Sequence, residues 1–556
     1  MPARPSFWNE RTAGLLLLAG GVGWALWHAG LFRRDLVNEG GWLLLLRFGQ
    51  AAFQPDLSPE LLQVTWEAML STLAYALYGT ALSLGIGLAG GLFSSALWWR
   101  TVLPGRSVME SDGRSREPWL LVRALLAVPR SIHEAVWGLL FVNVFGLNPL
   151  TAVLALAIPF GAITAKVFSE ILDETPTGAL YAALAAGAAP LPALCYTTLP
   201  QALPDLLGYT FYRLECAIRS ATILGLIGAG GLGYQLLLSL QSLRYQEMWT
   251  FLYALILLCG ITDLWSSRLR WKLNVADESV ICRVGGDGRL RPEGADWPVR
   301  LSVVAVVLLT VAAVFYVQAD WSLLFAPRSW RNLWGIAGDL LPPRLEPALL
   351  LSLMRLSVDT VAMALLAMVV AGAGGALLAF PAAVPPAGGR KKPRFLHLAP
   401  ALITRGLLLV ARSVPEPVWA LLALLVFFPG VLPGAIGLGL YNLGILGRLK
   451  AEAIENLDER PSNSLRALGA SPGHVFFYGV VPRAMPRFIG YTLYRWEVCV
   501  RATLVVGLVG AGGLGRLLAE QIASFDYRGM TSTLLAFFVL TVLIDWGSAW
   551  ARRVWG

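Results

Sequence analysis

Arg213, Glu215 and Arg219 lie within the apolar segment YTFYRLECAIRSATILGLIGAGGLG, which runs from Tyr209 to Gly233. Arg495, Glu497 and Arg501 lie in YTLYRWEVCVRATLVVGLVGAGGLG, from Tyr491 to Gly515, 282 residues further on. A charge at the centre of a bilayer costs roughly 2.5–3.5 kcal/mol on insertion scales, so all six side chains must face protein or water. Glu215 precedes Arg219 by four residues and Glu497 precedes Arg501 by four, the favourable order for an intrahelical pair. That leaves Arg213 and Arg495, one surplus positive charge per copy. A narrow cationic path suits an anion in transit, and the arginine fork suits an anion that presents several oxygens. The path must also release its cargo, which favours guidance and gating over tight binding. The competing reading is a structural network of ion pairs that fixes helix packing, to which Arg130 with Glu134 and Arg412 with Glu416 add two further four-residue spacings. The copies are not identical. Ser220 and Thr222 stand where the second copy has Ala502 and Leu504, and Thr503 stands where the first has Ala221.

The elements that position these charges are membrane spans. Of the 556 residues, 56% are apolar and 14% are charged; soluble domains carry roughly 25% charged residues. Apolar stretches fall at roughly 12–31, 66–97, 119–145, 149–168, 207–240 and 248–267, and again at roughly 299–318, 347–380, 400–428, 431–448, 489–522 and 531–549. The first follows Arg4 and Arg11 and reads as an uncleaved span. The expectation is an all-α membrane protein of about twelve transmembrane helices in two six-helix halves. The net charge of +9 raises nucleic-acid binding, but the arginines concentrate at span ends, which fits the positive-inside rule better. Arg100, Arg106, Arg114 and Arg116 follow the second span, and Arg390, Lys391, Lys392 and Arg394 follow its counterpart, placing these loops and both termini in the cytoplasm. Residues 1–270 form the first unit, 271–298 a cytoplasmic linker and 299–556 the second unit. Six spans return the chain to its starting side, so the repeats are parallel, related by a pseudo-two-fold axis along the membrane normal.

The offset of 282 extends further. Arg130, Ser131, Glu134 and Trp137 match Arg412, Ser413, Glu416 and Trp419. Each apolar charged segment closes on glycines, Gly228, Gly230, Gly231 and Gly233 in one copy and Gly510, Gly512, Gly513 and Gly515 in the other. A nucleotide fingerprint needs a preceding strand; glycines flanked by membrane span indicate a bend or a close helix contact. Before each charged segment, a polar loop carries a short helical run, a glycine and a proline thirteen residues later. The first has Ala182, Ala183, Gly187 and Pro200, and the second has Ser464, Leu465, Gly469 and Pro482. A short helix, a glycine turn and a proline stop predict a compact knob suited to docking a two-fold partner.

This loop resembles that of ABC-importer permeases, whose motif reads EAA, three residues, G, nine residues, I, one residue, LP. The match lies at Gly187 with Leu199 and Pro200, and at Gly469 with Val481 and Pro482; Tyr181 and Asn463 replace the family's glutamate. RSIHEAVW and RSVPEPVW resemble the third-span signature of phosphonate-type permeases, and the YRxExxxR segments with GLxGAGGLG resemble their fifth span. The resemblance implies a type I ABC importer permease fold and a fused, pseudo-dimeric chain. It implies a dimer of ABC ATPase subunits that bind ATP and Mg on the cytoplasmic side, and an extracytoplasmic solute-binding protein delivering phosphonate, phosphite or a related oxyanion. It also implies a bacterial inner membrane, and no nucleic acid.

The chain has no GxxxxGK[ST], and none of its five lysines follows a glycine, so it is not expected to bind ATP or to act as an enzyme. Its four histidines and five cysteines are scattered without metal-ligand spacing. Two alternatives remain: an importer permease for another small solute of the amino-acid type, and a secondary transporter or channel that needs no ATPase.

Overall fold

The computed structural model describes residues 10–32, 36–102, 117–279, 297–384 and 395–555. The positive loop residues Arg106, Arg114, Arg116, Arg390, Lys391, Lys392 and Arg394, and most of the 271–298 linker, lie outside them. The described residues are helical, with one isolated bridge between Val37 and Phe427. Helices satisfy their own backbone polar groups, which hydrocarbon demands.

In the first half the helices are α1 (Glu10–His28), α2 (Gly41–Ala51), α3 (Pro59–Ser94), α4 (Ala96–Val102), α5 (Glu117–Ser131), α6 (Glu134–Phe145), α7 (Pro149–Glu174), α8 (Gly178–Ala185), α9 (Pro190–Ala229), α10 (Gly231–Gln241) and α11 (Tyr245–Ser279). In the second they are α12 (Trp297–Val317), α13 (Pro327–Asp339), α14 (Pro347–Ala382), α15 (Phe395–Ser413), α16 (Glu416–Val426), α17 (Val431–Glu455), α18 (Arg460–Ala467), α19 (Pro472–Ala511), α20 (Gly513–Ala523) and α21 (Tyr527–Trp555). Six of these are long and apolar enough to cross a membrane, and ten if each sharply bent pair counts as one crossing. The bends are 86° between α5 and α6, 57° between α9 and α10, 90° between α15 and α16, and 63° between α19 and α20. The other two expected stretches fall on α1, whose apolar part is short, and on α17, a helix of 25 residues.

The chain forms two compact units. One unit joins Met1–Pro55 with Trp334–Gly556, and the other is Asp56–Leu333. In the latter, Ala313 and Val317 of α12 pack on Ala74, Leu77 and Tyr78 of α3. Trp321 Nε1 donates to the Tyr78 hydroxyl at 2.8 Å and Trp265 Nε1 to Ser302 Oγ at 3.0 Å. In the former, His28 of α1 meets Asp359 of α14, Nε2 to Oδ1, at 2.7 Å. The stretch after α1 docks on α16, with Asn38 N donating to Val426 O at 2.7 Å and Phe428 N to Leu36 O at 3.1 Å. Each half's leading helix therefore completes the other half's core. An apolar helix without a distinct polar face carries no signal in its sequence for which core it will join.

Candidate functional site

The glycine segments lie at the 57° and 63° bends. Gly228 and Gly510 adopt φ of 103° and 97°, the left-handed region that side chains avoid. Gly233 and Gly515 let the two arms of each bend touch: a Cβ would stand 1.8 Å from Thr222 O in one and 2.2 Å from Leu504 O in the other. A threonine holds each bend from a neighbouring helix. Leu232 N donates to Thr72 Oγ1 at 2.9 Å, and Leu514 N donates to Thr360 Oγ1 at 3.1 Å. The remaining predicted glycines follow suit, with Gly230, Gly231, Gly512 and Gly513 all at positive φ.

In the unit Asp56–Leu333, α9 buries Arg213, Glu215, Arg219, Ser220 and Thr222. Arg219 Nη2 pairs with Glu215 Oε1 at 3.1 Å, the predicted intrahelical pair. Ser220 Oγ donates to Glu134 Oε1 at 2.5 Å, and His133 Nδ1 lies 3.2 Å from Glu134 Oε2. Third-span and fifth-span signatures thus meet through Glu134 and Ser220. Thr222 Oγ1 donates to Ile218 O of its own helix at 3.0 Å. Arg213 lies over the Phe160 ring, 3.5 Å from its centroid, and its buried Nε and Nη2 have no hydrogen-bond acceptor among the described residues.

The other unit differs. Arg501 forms an ion pair with Asp545 of α21, Nη2 to Oδ2, at 3.5 Å. Arg495 Nε donates to Asn442 Oδ1 at 2.5 Å. Thr503 Oγ1 donates to Val500 O at 2.6 Å. Asn442 and Asp545 thus join the predicted residues. Asp545 and the buried Asp263 occupy equivalent places in the two last spans, 282 residues apart, so the repeat itself carried that signal. Asn442 stands where the first half has Phe160, a difference that composition alone does not flag. Because the Glu215–Arg219 pair is nine-tenths buried, Glu215→Gln should destabilise the chain by about 3–5 kcal/mol. The Arg501–Asp545 pair is more than one-third exposed, and Asp545→Asn should cost about 1 kcal/mol or less. Thermal unfolding of the solubilised variants checks this, and equal losses would contradict the geometry.

The third-span signature builds an elbow. The chain breaks between Arg130 and Glu134 and between Arg412 and Glu416, so the helical four-residue spacing expected there does not apply. Trp137 Nε1 donates to Pro129 O at 3.2 Å, and Trp419 Nε1 donates to Ala411 O at 3.0 Å, satisfying carbonyls freed at the break. Ser131 Oγ donates to Val128 O at 2.7 Å, while Ser413 and Glu416 are buried.

The loop knobs form as helix and glycine turn. Gly187 and Gly469 have φ of 86° and 80°. Ala188 N donates to Ala183 O and Ala470 N to Leu465 O, each at 3.0 Å; Ala186 N reaches Ala182 O and Leu468 N reaches Ser464 O. These bonds close each helix C-terminus. Pro200 and Pro482 do not stop the chain, contrary to the sequence expectation. A wider π-helical stretch, Leu194–Thr198 or Val475–Val480, precedes each, and the helix runs on into the charged span. The wider turn relieves the clash and the missing N–H that a proline imposes within an α-helix. Tyr196 and Tyr478, equivalent positions beside the knobs, are 84% and 72% exposed.

Residues 114–269 and 392–553 each match the family described as binding-protein-dependent transport system inner membrane component. The phosphate-import permease protein PhnE of Mycolicibacterium smegmatis is 28% identical over 434 residues, covering 78% of this chain and 77% of that protein. The phosphite transport system permease protein PtxC of Stutzerimonas stutzeri is 34% identical over 268 residues, covering 48% of this chain and 92% of that protein. About half of this chain thus accounts for nearly all of that relative, in keeping with two family units in tandem.

Proposed function

Because the chain belongs to the family of binding-protein-dependent transport system inner membrane components, we propose that it is the permease of an ATP-driven importer for phosphate, phosphite or phosphonate. The observation that carries this reading is the doubled family unit with a phosphate-import relative matching across 78% of the chain. The charged spans supply the chemistry: buried arginines guide the oxyanion, and the glycine bends and elbows shape its path. On this reading the chain is a multi-pass protein of a bacterial inner membrane, with about twelve crossings and both termini cytoplasmic. An extracytoplasmic binding protein delivers the substrate. A dimer of ABC ATPases, holding ATP and Mg, docks on α8 and α18.

The exposed tyrosines support the docking face because they lie with other exposed apolar side chains, Tyr181 and Leu191 at the first knob and Leu468 and Phe477 at the second, in apolar patches of the kind that mark interaction surfaces. Replacing both, as Tyr196→Glu and Tyr478→Glu, should cut recovery of the co-expressed ATPase with the tagged chain at least tenfold without lowering the yield of the chain. Unchanged recovery would remove these tyrosines from the docking face. Uptake by the chain alone, without an ATPase, would overturn the importer reading in favour of a secondary transporter.

A further inference from the structure

We propose that each half also carries a small binding pocket for a phosphate-type oxyanion, distinct from the fifth-span charges, where the third and fourth spans meet near the docking knob. In the unit Asp56–Leu333, a cavity of about 120 Å³ is lined by Arg123 and Arg130 of α5 and by Lys166 and Glu170 of α7, with Ser94 at the end of α3. In the other unit, a cavity of about 80 Å³ is lined by Arg405 and Arg412 of α15 and by Arg448, Glu452 and Glu455 of α17, with Ala382 at the end of α14. Four charged positions recur at the offset of 282, and Ser94 and Ala382 are both the last residues of equivalent helices. Charge is retained where residue type is not, as Lys166 and Arg448 show. Neighbouring positions have diverged freely: Phe168 corresponds to Lys450, and His133 to Pro415.

The walls are built alike. Arg123 Nε donates to Ser94 O at 3.1 Å, and Arg405 Nε donates to Ala382 O at 2.9 Å. Each of these arginines also pairs with an acid at the end of the fourth span, Arg123 with Asp173 at 3.7 Å and Arg405 with Glu455. They tie three helix ends together around the cavity. Across it, Lys166 pairs with Glu170 at 3.7 Å and Arg448 with Glu452 at 2.6 Å.

Three basic side chains meet one acid in the first lining and two in the second, an excess that favours an anion over a cation. The volumes fall well below the roughly 300 Å³ at which pockets for drug-sized ligands begin, so the occupant is a compact group. Two guanidinium groups with an ammonium in the first pocket, and three guanidinium groups in the second, suit an anion that presents several oxygens. Arg123 lies over the Trp119 ring at 4.1 Å, and Leu120, Leu121 and Leu125 on the same helix are exposed. A tryptophan and an apolar face of this kind mark the level of lipid headgroups. The group is therefore either a free oxyanion or the phosphate of an anionic lipid. α8 begins at Gly178, shortly after α7 ends at Glu174, so occupancy braces the helix that leads into the knob.

The test uses the full chain in nanodiscs. One arm measures equilibrium binding of radiolabelled inorganic phosphate in phosphatidylcholine discs. The other measures retention of phosphatidylglycerol by native mass spectrometry. Lys166→Gln with Arg448→Gln should weaken binding about tenfold in whichever arm shows it. Glu170→Gln with Glu452→Gln should strengthen it at least threefold. Lys166 and Arg448 are partly exposed, and ion pairs of that kind contribute little to stability, so both variants fold. Binding in the first arm assigns the free oxyanion and binding in the second the headgroup. No binding in either arm, or a change in the same direction for both variants, overturns the proposal. Binding that Arg213→Gln removes while the pocket variants leave it intact also overturns it, and leaves the importer reading standing. Failed uptake with intact pocket binding would overturn only the importer reading.

Discussion

Arg213→Gln is expected to lower ATP-driven uptake at least tenfold at unchanged assembly, whereas Arg495→Gln lowers it less than threefold. Sequence makes these two arginines equivalent; their surroundings do not. Arg213 is 7% exposed, lies over Phe160, and has two buried nitrogens without an acceptor among the described residues. Arg495 donates to Asn442 and is less buried. A buried N–H lacking an acceptor is costly, and an oxyanion that supplies one gains a charge-assisted bond of about 1.5–3 kcal/mol. A tenfold change in rate corresponds to about 1.4 kcal/mol, so one such bond is enough. Uptake by the unaltered complex should fall as ionic strength rises, and the Arg213→Gln complex should respond less. Equal losses in the two variants would refute the asymmetry, and normal uptake with normal salt dependence in Arg213→Gln would refute guidance by this residue.

Gly233→Ala and Gly515→Ala should each destabilise the folded chain by about 3 kcal/mol, the upper end of what overpacking costs. The obstacle in both is a backbone carbonyl on the opposing arm of the bend, at 1.8 Å and 2.2 Å, which cannot rotate away as a side chain can. Gly187→Ala isolates backbone strain: its φ is 86° but nothing lies within 4 Å of the added carbon, so a cost of about 1–2 kcal/mol is expected. The fraction of solubilised chain that remains monodisperse after graded heating ranks the three. A Gly233→Ala chain as stable as the parent would contradict the bend.

The features legible in the sequence were those with a fixed register. The repeat, the charged spans and the glycine bends each appear twice at one offset, and physical chemistry limits what arginines and glycines can do inside a membrane. Asp263 and Asp545 were equally legible at that offset, but each is a lone acid at the end of an apolar run. Thr72 and Thr360 escaped because α3 and α14 lie 288 residues apart, outside the register that joins the rest. The elbows are not legible in the sequence, because Arg130 to Trp137 keeps a helical pattern and the break shows only in the packing, where each tryptophan indole reaches back to a freed carbonyl. Pro200 and Pro482 looked like stops because a proline's conflict with an α-helix is local, while its remedy, a π-helical stretch, is set by how the chain packs. The exchange of α1 and α12 between cores was beyond sequence reading, since neither helix shows a face that singles out one partner.

The most direct test of the central claim is uptake into proteoliposomes containing this chain, its ATPase and its binding protein, offered radiolabelled phosphate, phosphite, methylphosphonate or an amino acid. ATP-dependent accumulation of at least one phosphorus oxyanion is expected, with none of the amino acid, and none of either when the ATPase is left out. Accumulation of the amino acid, or uptake of any oxyanion by the chain without ATPase, would contradict that claim.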